Sequence, residues 1–225
     1  MFLLLLRVIE ILQFLVKTCI FIFKNKYNQE QINKKMIRCL ALMIFVFVSS
    51  CSVGSRTPVD QNDACSILKD NRSWKRYLVK THKKWNVKPS LVLSFIKTES
   101  NFRPRARTQR KYFLGLVPTG RISSAYGYAQ ALDGTWERYE KATNRRFARR
   151  NKFSDAVDFI GWYVNQTLKI NGISRNDVYS QYLAYHQGHK GFKSGNYKKS
   201  SALKAVAKRT ADTAKRYEKQ LKKCL

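Results

Sequence analysis

The apolar positions of this chain recur at helical intervals along most of its length. Ile67, Leu68, Trp74, Tyr77 and Leu78 fall at such spacing over 67–84, with Trp85 closing the pattern. Pro89 then sits where a first helical turn tolerates a missing N–H, and Leu91, Val92, Phe95, Ile96 and Glu99 share the face that follows, since steps of four, seven and eight return to one side. From 103 to 124 the periodicity dissolves into a basic loop punctuated by Pro104, Gly115, Pro118 and Gly120 and carrying Tyr112, Phe113 and Leu114. Beyond the loop, Gly134-Thr135 introduces a short helix through Trp136 and Tyr139. Ser154 is placed to cap a longer helix with Asp155 in its first turn, and Ala156, Val157, Ile160, Val164, Thr167 and Leu168 run along it to a stop at Asn171-Gly172. Another helix is expected over 177–186. The last one carries Leu203, Val206, Thr210, Ala214, Tyr217, Leu221 and Cys224 in steps of three and four, which puts Cys224 on its buried seam. Strand alternation and internal repeats are not expected. The pattern predicts an all-α domain of about 160 residues, enough for one core.

The beginning of the chain reads differently. Met36-Ile37-Arg38 opens a basic segment, 40–48 is continuously apolar, and Val48-Ser49-Ser50-Cys51 closes it with small residues before a cysteine. This resembles a bacterial lipoprotein signal. It implies a leader over 1–50, Cys51 as the lipidated first residue of the mature chain, and an outer-membrane anchor facing the periplasm, since Ser52 rather than an aspartate follows. An uncleaved anchor helix is the alternative, against which the apolar stretch is short of the roughly 20 residues a span needs. Met1 and the hydrophobic stretch after it, interrupted by Arg7, Glu10 and Lys17, read as a start assigned upstream of the true one at Met36. Residues 51–64 read as the lipidated cysteine and a polar, flexible tether, and 65–225 as the folded domain.

Of the five cysteines, Cys19 and Cys39 fall in the expected leader and Cys51 would carry lipid, so Cys65 and Cys224 remain and are expected to pair in an oxidising compartment. Neither has His or Cys neighbours at zinc spacing, and no phosphate-binding glycine loop or Ser/His/Asp arrangement is present, so no metal and no cofactor are expected. Lys plus Arg number 44 against 14 Asp plus Glu, a net charge of +30, which demands an anionic environment or partner. Nucleic acid, anionic lipid and cell-wall polymer all satisfy that on electrostatics alone. An export signal sets nucleic acid aside.

In so basic a chain, one carboxyl group on an apolar helix face is the strongest chemical clue. Burial disfavours the charged form, so Glu99 is expected to hold a proton near neutral pH and to donate it. Pairing with Arg103 or Arg105 is the plainer reading.

Glu99-Ser100-Asn101-Phe102, Gly127-Tyr128-Ala129-Gln130 and Ala184-Tyr185-His186-Gln187-Gly188 resemble, in order and spacing, three motifs of the lytic transglycosylase SLT domain. The resemblance covers about 65–225 and implies a lysozyme-like fold with a long active-site loop. Its implied partner is the peptidoglycan glycan strand, cut between N-acetylmuramic acid and N-acetylglucosamine without added water. Glu99 would be the single general acid and base; Ser100, Gly127, Tyr128, Gln130, Tyr185 and His186 would bind substrate. Gly127 would let backbone approach the sugar. Gln130 would bond to substrate or to Glu99, or else tie the loop to a helix as a buried amide. Tyr185 would steady the carboxyl or a bound acetamido group, or simply fill the core. His186 stands where the family motif has asparagine, and would position glycan or peptide or pack at a helix end. Gln187, His189, Tyr197 and Tyr126 are further groove candidates.

Two rivals remain in this reading. A muramidase that uses water needs a second acid, for which Asp133 and Glu137 are available; Asp133 also suits a helix cap and Glu137 a solvated face. A wall-binding protein without turnover would keep the fold and the charge.

Overall fold

The structure is a computed structural model and describes residues 56–225. The leader, Cys51 and the first residues of the expected tether lie outside the described residues. Helices dominate: α1 (Ala64–Asp70), α2 (Arg72–Trp85), α3 (Pro89–Ser100), α4 (Asp133–Thr143), α5 (Phe153–Asn171), α6 (Val178–Lys193) and α7 (Ser201–Leu221), with a 3-10 turn at Asn196–Lys199 before the last. The described fold is mainly α, with one small two-stranded sheet.

Helix α5 is the central pillar. It is apolar on nearly every face, with Ala156, Val157, Phe159, Ile160 and Val164 almost wholly buried, as a helix enclosed by others must be. Helix α2 packs on α5, α3 packs on α7, and α6 bridges α5 and α7. Gly161 marks the closest approach, since a Cβ there would meet the Trp85 ring at 2.5 Å. Near the start of α2, Trp74 is fully buried; its ring stacks on Phe153 with centroids 3.6 Å apart and meets Phe102 and Tyr128, each at 5.8 Å. The Glu99-Ser100-Asn101-Phe102 and Gly127-Tyr128-Ala129-Gln130 segments are thus pinned to one aromatic cluster.

The ends of the domain are joined. Cys65 and Cys224 form a disulfide, closing a loop whose constraint on the unfolded chain is worth about 2–5 kcal/mol. Cys224 lies beyond the end of α7 rather than on its helical seam.

Several sequence expectations are corrected. The helix expected over 67–84 is two helices, α1 and α2, divided at Asn71, whose side-chain amide accepts from Arg56 N (3.1 Å) and donates to Arg56 O (2.9 Å). Residues 56–63, read as flexible tether, are therefore bound to the body; Val59 N also donates to Asp70 and the Tyr217 hydroxyl to Gln61 O. Ser154 does not cap α5, because the chain enters the helix from Lys152 and the Ser154 hydroxyl donates to Asp155 instead. Asp133 does not cap α4 either: it is a first-turn residue, and it pairs with Arg150 at 2.6 Å. Helix α6 continues past His186 to Lys193, broken at Gly188, where φ is 72° and ψ 161°.

The largest correction is in the basic loop, which contains an antiparallel hairpin, β1 (Arg110–Phe113) and β2 (Val117–Arg121). Leu114 and Gly115 both take positive φ and the Leu116 N–H donates to Phe113 O, the geometry of a tight hairpin turn. No alternating pattern announced these strands, because both of their faces are exposed and neither needs an apolar period.

Candidate active site

Helix α3 ends immediately after Glu99. Asn101 caps it in the left-handed region with its N–H on Lys97 O, and Phe102, also at positive φ, turns the chain so that its ring drops into the core. The last helical turn is thereby fixed, and Glu99 projects toward α6. Phe95, one turn earlier on the same face, meets the rings of Tyr182 (5.3 Å) and Tyr185 (5.1 Å) edge-on. The carboxyl group thus stands on an aromatic floor.

That setting sets its chemistry. Glu99 is half-buried as a residue, but its Oε1 is fully buried and has no hydrogen-bond partner. Burial pushes the carboxyl up to about 7, and a hydrogen bond from the Tyr182 hydroxyl opposes the rise without cancelling it. No arginine takes part: Arg103 turns back to Ser100 O at 3.0 Å. A carboxyl at this value holds its proton on a substantial fraction of molecules at neutral pH and can also take one back, which suits a group that acts first as acid and then as base. Tyr182 and Tyr185 are both pushed well above their ordinary range by burial and by the Glu99 charge, so they stay protonated donors.

The second and third motifs meet through Tyr185. Its hydroxyl donates to Ala129 O at 2.5 Å, fastening α6 to the turn over 126–130. Within that turn Gln130 donates from Nε2 to Ala106 O (3.0 Å) and Gly127 O (2.8 Å), so it stitches two loop segments together. Of the roles open to Tyr185 and Gln130, the ones realised are ties to backbone near Glu99 rather than bonds to its carboxyl. Gly127 is required for a different reason from the one expected: its φ is +80° and a Cβ would sit 2.1 Å from Arg150 O, so protein backbone rather than sugar excludes a side chain.

Two expected sugar-binding residues face inward instead. Ser100 is buried and donates to Ile96 O at 3.1 Å, a bond within its own helix. Tyr128 has no exposed surface; its ring packs edge-on against Trp74 and Phe153 in the core, because the Gly127 turn directs it there. His186 is exposed on α6, with its ring 6.4 Å from that of Tyr182. Of the further groove candidates, His189 stacks on Tyr163 at 4.5 Å and bonds Thr167, Tyr197 stacks on Phe192, and Tyr126 lies under the Arg107 guanidinium at 4.2 Å.

The residue that sequence reasoning missed is Tyr182. Its signal was present, since it stands one helical turn before Tyr185 and so shares that face. Asp133 and Glu137 are elsewhere engaged, with Arg150 and Lys141, and neither contributes to the elevation at Glu99. Among the described residues no group of three or more His, Cys, Asp or Glu side chains gathers as a metal site would require.

A family model described as the transglycosylase SLT domain matches residues 39–224. No curated protein matches the chain. The match spans most of the sequence, and the chain belongs to the transglycosylase SLT domain family, which points to peptidoglycan as the polymer bound and to lytic transglycosylation as the activity.

Proposed function

We propose that this protein cleaves the glycosidic bond between N-acetylmuramic acid and N-acetylglucosamine and leaves a 1,6-anhydromuramoyl end, with Glu99 as the one acid and base. The observation that carries this is the Glu99 carboxyl itself: one oxygen buried without a partner, a pKa of about 7 raised by burial, and no second carboxylate adding to that rise. Protonated Glu99 gives its hydrogen to the glycosidic oxygen as the C1–O bond breaks, and an oxocarbenium-like centre develops at C1. The carboxylate then removes the proton of the sugar's own 6-hydroxyl, whose oxygen closes on C1. Glu99 ends the cycle protonated, as it began. The attacking hydroxyl is already tethered to the reacting sugar, so its effective concentration is high and no second acid is needed to hold a water. Tyr182, through its bond to the carboxyl, steadies the charged intermediate form of Glu99.

Mass analysis of digested sacculi tests this. Products one water lighter than hydrolytic fragments are expected; reducing ends alone would make the enzyme a muramidase. If wild-type protein releases nothing from wall, a binding protein without turnover becomes the better account.

Anchoring belongs to the same proposal. Processing before Cys51 and lipidation of that residue would hold the enzyme at the periplasmic face of the outer membrane. Incorporation of labelled palmitate that disappears in Cys51→Ala is the expected result.

A further inference from the structure

The hairpin carries an apolar tip that nothing among the described residues covers. Tyr112, Phe113, Leu114, Leu116 and Val117 are between 54% and 83% exposed, whereas large exposed apolar side chains elsewhere among the described residues, such as Val59 and Phe147, stand apart from one another in the sequence. Single exposed apolar residues need no explanation, but a contiguous set on a projecting element does. Both faces of both strands are open, so the tip is apolar all round. A sugar chain or a folded partner would cover one face and leave the other wet. An apolar liquid surrounds a tip completely.

The charge around the hairpin completes the picture. Between Asn101 and Leu132 the chain has Arg103, Arg105, Arg107, Arg110, Lys111 and Arg121 and no acidic residue at all. Arg110 and Arg121 are direct partners across the hairpin, and like charges placed opposite each other destabilise a strand pair. Arg121 turns one guanidinium nitrogen to Thr108 O at 2.5 Å, whereas Arg110 and Lys111 on the facing strand are exposed and within reach of an anion. From Lys111 to the turn the strand advances about 10 Å at roughly 3.3 Å per residue, which matches the depth of about 5–10 Å to which interfacial elements sink. The turn itself holds Leu114 at a φ of 50°, where Asn or Gly would sit more easily, so an apolar side chain is kept at the apex at conformational cost.

We infer that the hairpin is a membrane-seating element, its apolar tip entering the interfacial region of an anionic bilayer while the exposed Arg110 and Lys111 take lipid phosphates at its base. The base of the hairpin continues into the 126–130 turn held by Tyr185, so seating the tip also orients the Glu99 site relative to the lipid surface. This inference stands apart from the catalytic proposal, since it concerns only lipid contact.

A reporter at the tip tests it. The full chain carrying Leu116→Trp is mixed with vesicles of equal parts phosphatidylcholine and phosphatidylglycerol, with vesicles of phosphatidylcholine alone, and with soluble glycan strands, and its tryptophan emission is compared with wild type. The added emission is expected to move to the blue on the anionic vesicles and to be quenched by bromine carried high on the acyl chains. Adding Arg110→Gln and Lys111→Gln is expected to weaken that response on the order of 30-fold. An unchanged emission on anionic vesicles overturns the inference, because the reporter reads the tip even when a lipid anchor holds the protein on the membrane. A shift of equal size on neutral vesicles overturns it as well, since the cations would then play no part. A shift produced by glycan strands and not by vesicles makes the hairpin a wall of the sugar groove instead.

Discussion

Asp158 and Glu99 are both withdrawn from water, and they have opposite character. Asp158, on α5, is 6% exposed, and burial pushes its pKa up; hydrogen bonds from Trp85, Tyr139, Arg145 and Lys84 outweigh that push and hold it below the ordinary range. Glu99, at the end of α3, meets a single donor, Tyr182, and burial wins. Withdrawal from water is common to both; the number and charge of donors decides the sign. The first group is a structural clamp joining α2, α4 and α5. The second is left with a buried oxygen that a proton can occupy, and it is the one beside the aromatic floor.

Breaking either side of the comparison has a predicted cost. The largest effect is on catalysis: Glu99→Gln keeps the shape but removes the proton donor, and release of soluble fragments from wall should fall on the order of 10³-fold. Asp158→Ala should leave activity per folded molecule intact but lower stability by about 3 kcal/mol, because Arg145, Lys84, the half-buried Trp85 and the buried Tyr139 lose their common acceptor. Urea denaturation measures it.

The pH dependence of stability separates the two carboxyls further. Folded Glu99 holds its proton more tightly than the unfolded chain does. Wild-type protein therefore loses about 3 kcal/mol as pH rises from below 4.5 to above about 7, and Glu99→Gln escapes that loss. Asp158 has the reverse sign: its contribution is present above the ordinary carboxylate value of 3.8 and is lost as pH falls below it. Melting temperatures across pH should show the Glu99→Gln advantage growing between about pH 4.5 and about pH 7 and levelling off above that.

The smallest effect tests the donor directly. Activity that needs protonated Glu99 falls as pH climbs through about 7. Tyr182→Phe removes the bond that favours the charged form, so the alkaline limb of the rate profile should move upward by as much as about one pH unit, equivalent to about 1.4 kcal/mol. An unmoved limb would separate Tyr182 from the carboxyl.

Much of this was legible beforehand where one local rule acted alone. Pro89 at the start of α3, Gly172 at the end of α5 and the pairing of the two body cysteines each follow from a single feature of the chain. Glu99 was legible because an acid on an apolar face is anomalous in itself. Tyr128, Ser100 and Gly127 were misread because motif membership says which residues lie near a site and not which way they point. The Gly127 turn sends Tyr128 into the core, and the helix takes the Ser100 hydroxyl. The hairpin escaped because strands exposed on both faces leave no periodic trace.

Helix periodicity and its end signals are written into neighbouring residues, so the amino-acid order by itself determined an α-helical domain, its closed ends and the one carboxyl worth suspecting. Tertiary structure alone decided that Tyr182 rather than Tyr185 bonds Glu99, that Asp158 gathers four donors while Glu99 has one, and that an apolar hairpin stands clear of the core. Each of those outcomes depends on residues distant in sequence arriving at the same place, and the energy of a buried charge is fixed only once its neighbours are there.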